Sequence, residues 1–290
     1  ADVSLTADSK TFAATQENAS FTLWKVPIDG GSPTRMSSGF NTRDGEVGIA
    51  ALADGRYVFC SYASGKSLDI WISNADGSGR KRLTDDDASD ERRPNISPDD
   101  KFLTYVRTGS GAEAELWRVD VTGENNRKLT DGNLGTVSPD SKWVYFFRGA
   151  GTGRERLFKI SAEGGEPVQL SDRRCWGPNI SPDGHWMLAM CADEGKPPKN
   201  VLWRLDGTGK TFEFPPTRNH HWSPDGKSFA YTGGESANIW LQKLDSSSPR
   251  KLTSFSDSGW NYAWSRDGKS LLVPRWQRSV DVVLLSPRLQ

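Results

Sequence analysis

The chain has 290 residues, 37 basic and 37 acidic, so its formal net charge is zero. That balance excludes a general nucleic-acid binder, which carries a basic excess, and no apolar run approaches the roughly 18 residues that span a bilayer. Three cysteines, Cys60, Cys175 and Cys191, are too few and too odd in number for a disulfide framework, so buried apolar thiols are expected.

In chain order, one short phrase keeps returning. It reads Thr6-Ala7-Asp8-Ser9, Leu52-Ala53-Asp54-Gly55, Ser97-Pro98-Asp99-Asp100, Ser138-Pro139-Asp140-Ser141, Ser181-Pro182-Asp183-Gly184, Ser223-Pro224-Asp225-Gly226 and Ser265-Arg266-Asp267-Gly268. The phrase is a turn: proline presets φ, aspartate bonds to the backbone ahead of it, and glycine accepts positive φ. Each copy is expected to build four strands. A short apolar stretch before the turn, such as Asn179-Ile180-Ser181 or Tyr262-Ala263-Trp264, is strand a. An alternating run after it, such as Tyr57-Val58-Phe59-Cys60 or Trp143-Val144-Tyr145-Phe146-Phe147, is strand b. A polar, glycine-rich loop leads to an apolar-aromatic pair in strand c: Leu23-Trp24, Ile70-Trp71, Leu116-Trp117, Leu157-Phe158, Leu202-Trp203 and Ile239-Trp240, with Val282-Val283 in the last copy. Strand d carries Arg82-Leu83-Thr84, Lys128-Leu129-Thr130, Gln169-Leu170-Ser171 or Lys251-Leu252-Thr253.

A period of about 42 residues suits one propeller blade of four short strands. Glycine and proline recur every few residues and no clean 3.6-residue period survives, so helix is excluded beyond traces. The expectation is all-β: one seven-bladed β-propeller over residues 1–290, of four-stranded antiparallel blades. Strand d is missing from the last copy, so the last blade is expected to be incomplete, with its fourth strand absent or upstream of Ala1. The opening Ala1-Asp2-Val3, without methionine, suggests an excised or processed chain.

The Ser-Pro-Asp-Gly phrase, the Leu/Ile-Trp pair, the Asp76-Gly77-Ser78-Gly79 turn and the closing Arg/Lys-Leu-Thr resemble TolB-like propellers, the Pro-Asp relatives of the WD repeat. A narrower resemblance lies in residues 2–11, in Gly164-Gly165-Glu166-Pro167-Val168-Gln169-Leu170 and in Ser279-Val280-Asp281-Val282-Val283-Leu284. These look like stretches of large bacterial proteins, notably of acidobacterial type, that join a serine/threonine kinase or winged-helix domain to TolB-like propellers. The resemblance implies an extracytoplasmic sensory or protein-binding module. No kinase motif is in the chain, so any kinase activity would belong to a parent sequence.

Other chemistry is weaker. Similar propellers cap prolyl-oligopeptidase-type hydrolases, but Gly77-Ser78-Gly79 and Gly109-Ser110-Gly111 lack nucleophile-elbow spacing. Asp85-Asp86-Asp87, Asp90 and Glu91 form an acidic cluster without EF-hand order, and read as a solvated loop. His220 and His221, as strand neighbours, point to opposite faces and do not share a metal, and His185 reads as a surface residue. No cofactor and no metal are expected. The aspartates Asp8, Asp54, Asp99, Asp140, Asp183, Asp225 and Asp267 are read as turn caps, and the strand-c tryptophans as packing between blades.

Function is left to what does not repeat. Propellers bind ligands on the face carrying the d-to-a and b-to-c loops. Those loops, residues 41–46, 85–93, 172–176, 218–221 and 256–260, offer Arg43, Arg93, Arg173, Arg174, Trp176, Arg218, His220, Trp260 and Tyr262 as candidate binding residues. Arginine and aromatics on a rim fit a protein, peptide or glycan partner. The reading is a non-catalytic binding module, monomeric within a larger bacterial signalling protein, on the extracytoplasmic side, inserting in no membrane and binding no nucleic acid. Two alternatives stay open: a propeller attached to a hydrolase, lyase or glycosidase, and a periplasmic Tol-type partner binder.

Overall fold

A computed structural model describes residues 3–5, 11–37, 43–109, 113–205, 211–214, 217–233, 238–244, 248–255 and 261–285. These residues are all-β and antiparallel, and no helix occurs among them. Five sheets have four strands in the order a-b-c-d. Blade 1 is Ile49–Ala51, Tyr57–Ser61, Asp69–Ser73 and Lys81–Arg82. Blade 2 is Asp90–Ile96, Phe102–Thr108, Glu115–Asp120 and Arg127–Asp131. Blade 3 is Asn133–Val137, Trp143–Arg148, Arg156–Ser161 and Val168–Gln169. Blade 4 is Arg174–Ile180, Trp186–Ala192, Lys199–Arg204 and Thr211–Phe214. Blade 5 is Arg218–Trp222, Ser228–Gly233, Asn238–Lys243 and Arg250–Lys251.

Blade 6 joins the two ends of the chain, and it corrects the expected blade number and the expected gap. Ala263–Trp264 is its strand a and Ser270–Leu285 its strand b. Phe12–Pro27 supplies strand c and Thr34–Arg35 strand d, with Val3–Leu5 pairing on the far end of Phe12–Pro27. The seven copies are thus gathered into six sheets among the described residues, because the first and seventh share one. The physical reason lies between the expected strands b and c. In the middle copies that stretch holds glycines such as Gly65, Gly149, Gly151 and Gly195 at positive φ, and the chain turns. Residues 12–26 contain no glycine or proline, so nothing breaks them. Each end of the chain therefore runs on as one 16-residue strand, and the two pair along their full length, from Phe12 with Leu285 to Pro27 with Ser270. Val282-Val283, expected as a strand c, instead pairs with Thr15 and Ala14 beyond the blade.

The turns are built alike. Asp54, Asp99, Asp140, Asp183, Asp225 and Asp267 each accept the N–H two residues on, at 2.9–3.2 Å. The Ser138, Ser181, Ser223 and Ser265 hydroxyls also donate to these carboxylates, and every one of the six is held below its ordinary pKa. Asp8 lies outside the described residues. In strand c the aliphatic member of each pair is buried, with Leu23, Ile70, Leu116 and Leu157 at 0% exposure. The aromatic member is half-buried, and a guanidinium caps Trp24, Trp71, Trp117 and Phe158.

Two of the three cysteines depart from expectation. Cys175 in strand a and Cys191 in strand b of blade 4 stand directly opposite and form a disulfide. Cys60 remains a buried free thiol.

Candidate functional site

The six strands a line a central channel. Five residues before each turn phrase begins, the chain does something the alternation does not predict. Four strands a carry a β-bulge there, between Arg92 and Asn95, Asn133 and Thr136, Trp176 and Asn179, and Arg218 and His221. The residue at the bulge takes positive φ: Arg93 (57°), Leu134 (53°), Gly177 (65°) and Asn219 (49°). A bulge turns backbone groups out of the ladder and re-aims side chains.

Those freed groups tie the blades to one another. Arg93 N donates to Val47 O, and Val137 N to Asn95 Oδ1, both at 3.1 Å. Thr136 Oγ1 donates to Pro178 O at 2.8 Å, and Asn179 Nδ2 to His220 O at 2.6 Å. Tyr262 OH donates to Asn219 O at 2.8 Å, and Asn261 Nδ2 to Glu46 O at 2.5 Å. These bonds cross the joints 1–2, 2–3, 3–4, 4–5, 5–6 and 6–1, so each joint of the ring has one. The channel wall is consequently a rigid, satisfied surface.

The half of the channel nearer the d-to-a loops holds a cavity of about 470 Å³, within the range of small-ligand pockets. Five of the nine predicted binding residues line it: Arg93, Trp176, Arg218, His220 and Tyr262. Tyr262 is buried there, with its hydroxyl engaged by Asn219 O. The other arginines are neutralised outside it. Arg43 pairs with Glu46 and covers Tyr62, Arg173 pairs with Asp193, and Arg174 pairs with Glu155 and lies over Trp176. Trp260 and loop 256–260 lie outside the described residues. Loop position alone did not single out Leu134, Met190, Asn95 or Asn261. For Leu134 and Asn261 the signal is a fixed offset from the repeat aspartate, with Arg93, Leu134, Gly177, Asn219 and Asn261 each six residues before one.

The electrostatics of the cavity are one-sided. Among the described residues no aspartate or glutamate lines it. Neither the Arg93 nor the Arg218 guanidinium meets an acceptor among the described residues, and both are exposed to the channel. Burial of the surrounding site, then Arg92 beside it, lower the Arg93 pKa. His220 and His221 are half-buried in the channel wall, and that burial pulls both down to about 4. Asn200 donates to Thr217 Oγ1, which also shares a 2.6 Å hydrogen bond with His220 Nε2. With its pKa so depressed, His220 is neutral at pH 7 and its Nε2 is engaged by Thr217. At neutral pH the charge of the described lining is two guanidiniums.

The acidic cluster is not a solvated loop throughout. Asp86 pairs with Arg107, Asp87 with Lys66 and Arg82, and Asp90 with Arg92. Glu91 is 1% exposed. Among the described residues no group of three or more His, Cys, Asp or Glu is arranged to hold a metal ion.

No family model matches the chain. It is 29% identical over 154 residues to an uncharacterized protein of Agrobacterium fabrum, covering 47% of this chain and 52% of that protein. It is 38% identical over 66 residues to the Tol-Pal system protein TolB of Rhizorhabdus wittichii, covering 22% of this chain and 15% of that one. The chain thus matches about half, or less, of the length of these relatives. Among solved structures, TolB from Acinetobacter baumannii superposes with a TM-score of 0.65 at 18% identity, over 94% of this chain and 65% of that one. Oligogalacturonate lyase from Vibrio parahaemolyticus superposes with a TM-score of 0.57 at 13% identity, over 93% and 98%. Such identities show the fold, a TolB-like β-propeller, which is shared by proteins that bind and proteins that catalyse.

Proposed function

We propose that the chain is a non-catalytic binding propeller outside the cytoplasm that seats part of a protein partner in the channel mouth on its d-to-a face. The observation that carries this is the cavity itself. Inner strands of all six blades contribute to it or to the hydrogen-bonded ring that stiffens it, so it is formed before a partner arrives. Its described titratable groups do not pair as nucleophile and base, since His220 Nε2 is held by Thr217 and no carboxylate or thiol is among the described lining residues. The Cys175–Cys191 disulfide supports an oxidising compartment. The Tol-Pal name of one relative supports a protein partner, and the segments resembling kinase-linked propellers support a scaffold role within a longer signalling protein.

The test is site-specific photo-crosslinking in cells. Benzoylphenylalanine at Trp176, on the channel, should capture the partner, whereas the same group at Val168, exposed on an outer strand, should not. Capture only from Val168 would overturn the placement. Robust turnover by the isolated chain, abolished by one point substitution in the channel, would overturn the non-catalytic reading.

A further inference from the structure

We infer that the channel takes an acidic peptide segment, its carboxylate held between Arg93 and Arg218. The inference rests on the channel being the binding site, and it names what the site recognises.

Arg93 belongs to blade 2 and Arg218 to blade 5. In a ring of six, those blades stand three steps apart and face each other across the channel. An anion entering the cavity therefore meets a guanidinium from each side. Planar guanidiniums suit a carboxylate through paired N–H donors. The contrast with the rest of the face is informative. Arg43, Arg173 and Arg174 each have an acidic partner in the protein, and Arg92 has Asp90. Only the two channel arginines among these candidates are left without one within the described residues. The flanking channel strands and Arg92 already weigh against the charge on Arg93, and no described lining carboxylate offsets it, so an incoming anion supplies compensation that the described wall withholds. The neutral histidines add no competing charge. With the whole chain at net zero, the attraction is local to the channel rather than a long-range field.

The remaining wall decides between a peptide and an acidic sugar. Leu134, Trp176, Met190, Pro94 and Ile49 face the cavity. The polar wall residues Asn95, Thr136, Asn179 and Asn261 already bond to neighbouring blades, and the apolar strip leaves the hydroxyls of a sugar ring without partners. It suits an apolar side chain next to the carboxylate, and methionine adapts to varied shapes. The volume admits a few residues of chain, not a folded domain.

The test is selection of random peptides displayed on phage against the whole chain, followed by calorimetry with the selected peptides. Enrichment of aspartate or glutamate beside an apolar residue is expected. Arg218→Ala should weaken such peptides by about 30-fold or more, as for loss of one partner of a buried charge pair. Arg93→Asn should do likewise while keeping a residue that tolerates positive φ, and retained melting temperature separates lost binding from lost fold. Arg218→Glu should exchange acidic for basic selected peptides. Peptides that bind the channel without acid enrichment, or that ignore both substitutions, overturn the charge assignment but leave the channel as a binding site. Binding of oligogalacturonate that requires both arginines, with no peptide selected, overturns the peptide assignment. Selected peptides that crosslink away from Trp176 overturn the site itself.

Discussion

Replacing Arg266 with proline completes the repeat phrase as Ser-Pro-Asp-Gly, and the structure says the completed phrase is worse. Prolines 139, 182 and 224 each pack on the glycine of the next turn, within 3.5–3.7 Å of where its Cβ would stand, at Gly184, Gly226 and Gly268. Arg266 occupies the same place but reaches much further. Its Nε donates to Ala51 O at 3.0 Å and its Nη2 to Ser97 O at 3.1 Å and Asp100 Oδ1 at 2.6 Å. Asp100 Oδ2 in turn accepts Ala53 N at 2.7 Å, a donor that exists because residue 53 is not proline. Three departures from the phrase, Arg266, Ala53 and Asp100, thus make one clasp from blade 6 over blade 1 to blade 2. The Arg266 side chain is 33% exposed and that of Asp100 21%, so the charged pair is screened and contributes about 1 kcal/mol at most. The two carbonyl bonds add about 0.5–1 kcal/mol each. Arg266→Pro should therefore lose about 2 kcal/mol, less about 0.5–1 kcal/mol recovered from the stiffer unfolded chain. Arg266→Ala should lose the full amount, or roughly 4–8 °C in melting temperature. Both are read by calorimetry and urea titration. In an Asp100→Gly background the cost of Arg266→Ala should shrink by about 1 kcal/mol. A proline variant as stable as the parent, or more so, refutes the clasp and leaves turn propensity as the ruling effect.

Further outcomes follow from the same structure. Cys175 and Cys191 close a loop of 16 residues, so the double alanine variant should lose about 3 kcal/mol, and peptide mapping without reductant should find the linked pair; two free thiols would refute it. Burial, with added repulsion from Asp69, pushes Glu91 up to about 7, so the folded chain holds a proton that the unfolded chain releases, and stability falls as pH rises from about 4.5 to 7. His220 and His221 run the other way: buried neutral, they withhold protons that the unfolded chain takes up, so stability falls as pH drops from about 6.5 to 4. Glu91→Gln should therefore gain roughly 2–3 kcal/mol at pH 8 and steepen the loss in acid; denaturant titrations at pH 5 and 8 that match the parent would refute this. Asp225→Ala should cost about 1 kcal/mol through the lost bonds to Lys227 N and Ser223 Oγ, and an unchanged urea midpoint would count against the turn-cap role.

The repeat made the strands legible because each turn is chemically specified by adjacent residues. Blade number was not legible, since it depends on whether residues 12–26 turn or run straight, and on a partner some 258 residues away. The disulfide failed for a subtler reason. The turn at Asp183 sets Ile180 against Met187 and Asn179 against Leu188, a register that would place Cys175 against Ala192. The bulge at Gly177-Pro178 shifts it by one residue and brings Cys175 opposite Cys191. The same bulges aim Arg93 and Asn219 inward. Reading loops as a rim found five cavity residues but could not separate free arginines from paired ones, because their acids lie on other strands, as Glu155 does for Arg174 and Asp193 for Arg173.

The pairing of Phe12–Pro27 with Ser270–Leu285 also sets a timetable. The strand made first in blade 6 has no main partner until residues 270–285 have been synthesised. At about 5–20 residues per second, that wait is on the order of tens of seconds. Throughout it, blades 1 to 5 form an open arc whose first and last joints have no neighbour, and Phe12–Pro27, with only Val3–Leu5 and Thr34–Arg35 beside it, carries Phe21, Leu23 and Val26 in solution. The channel, and with it any binding, comes into being only once residues 270–285 have been made, so a protein cut short before residue 270 would present blades but no site.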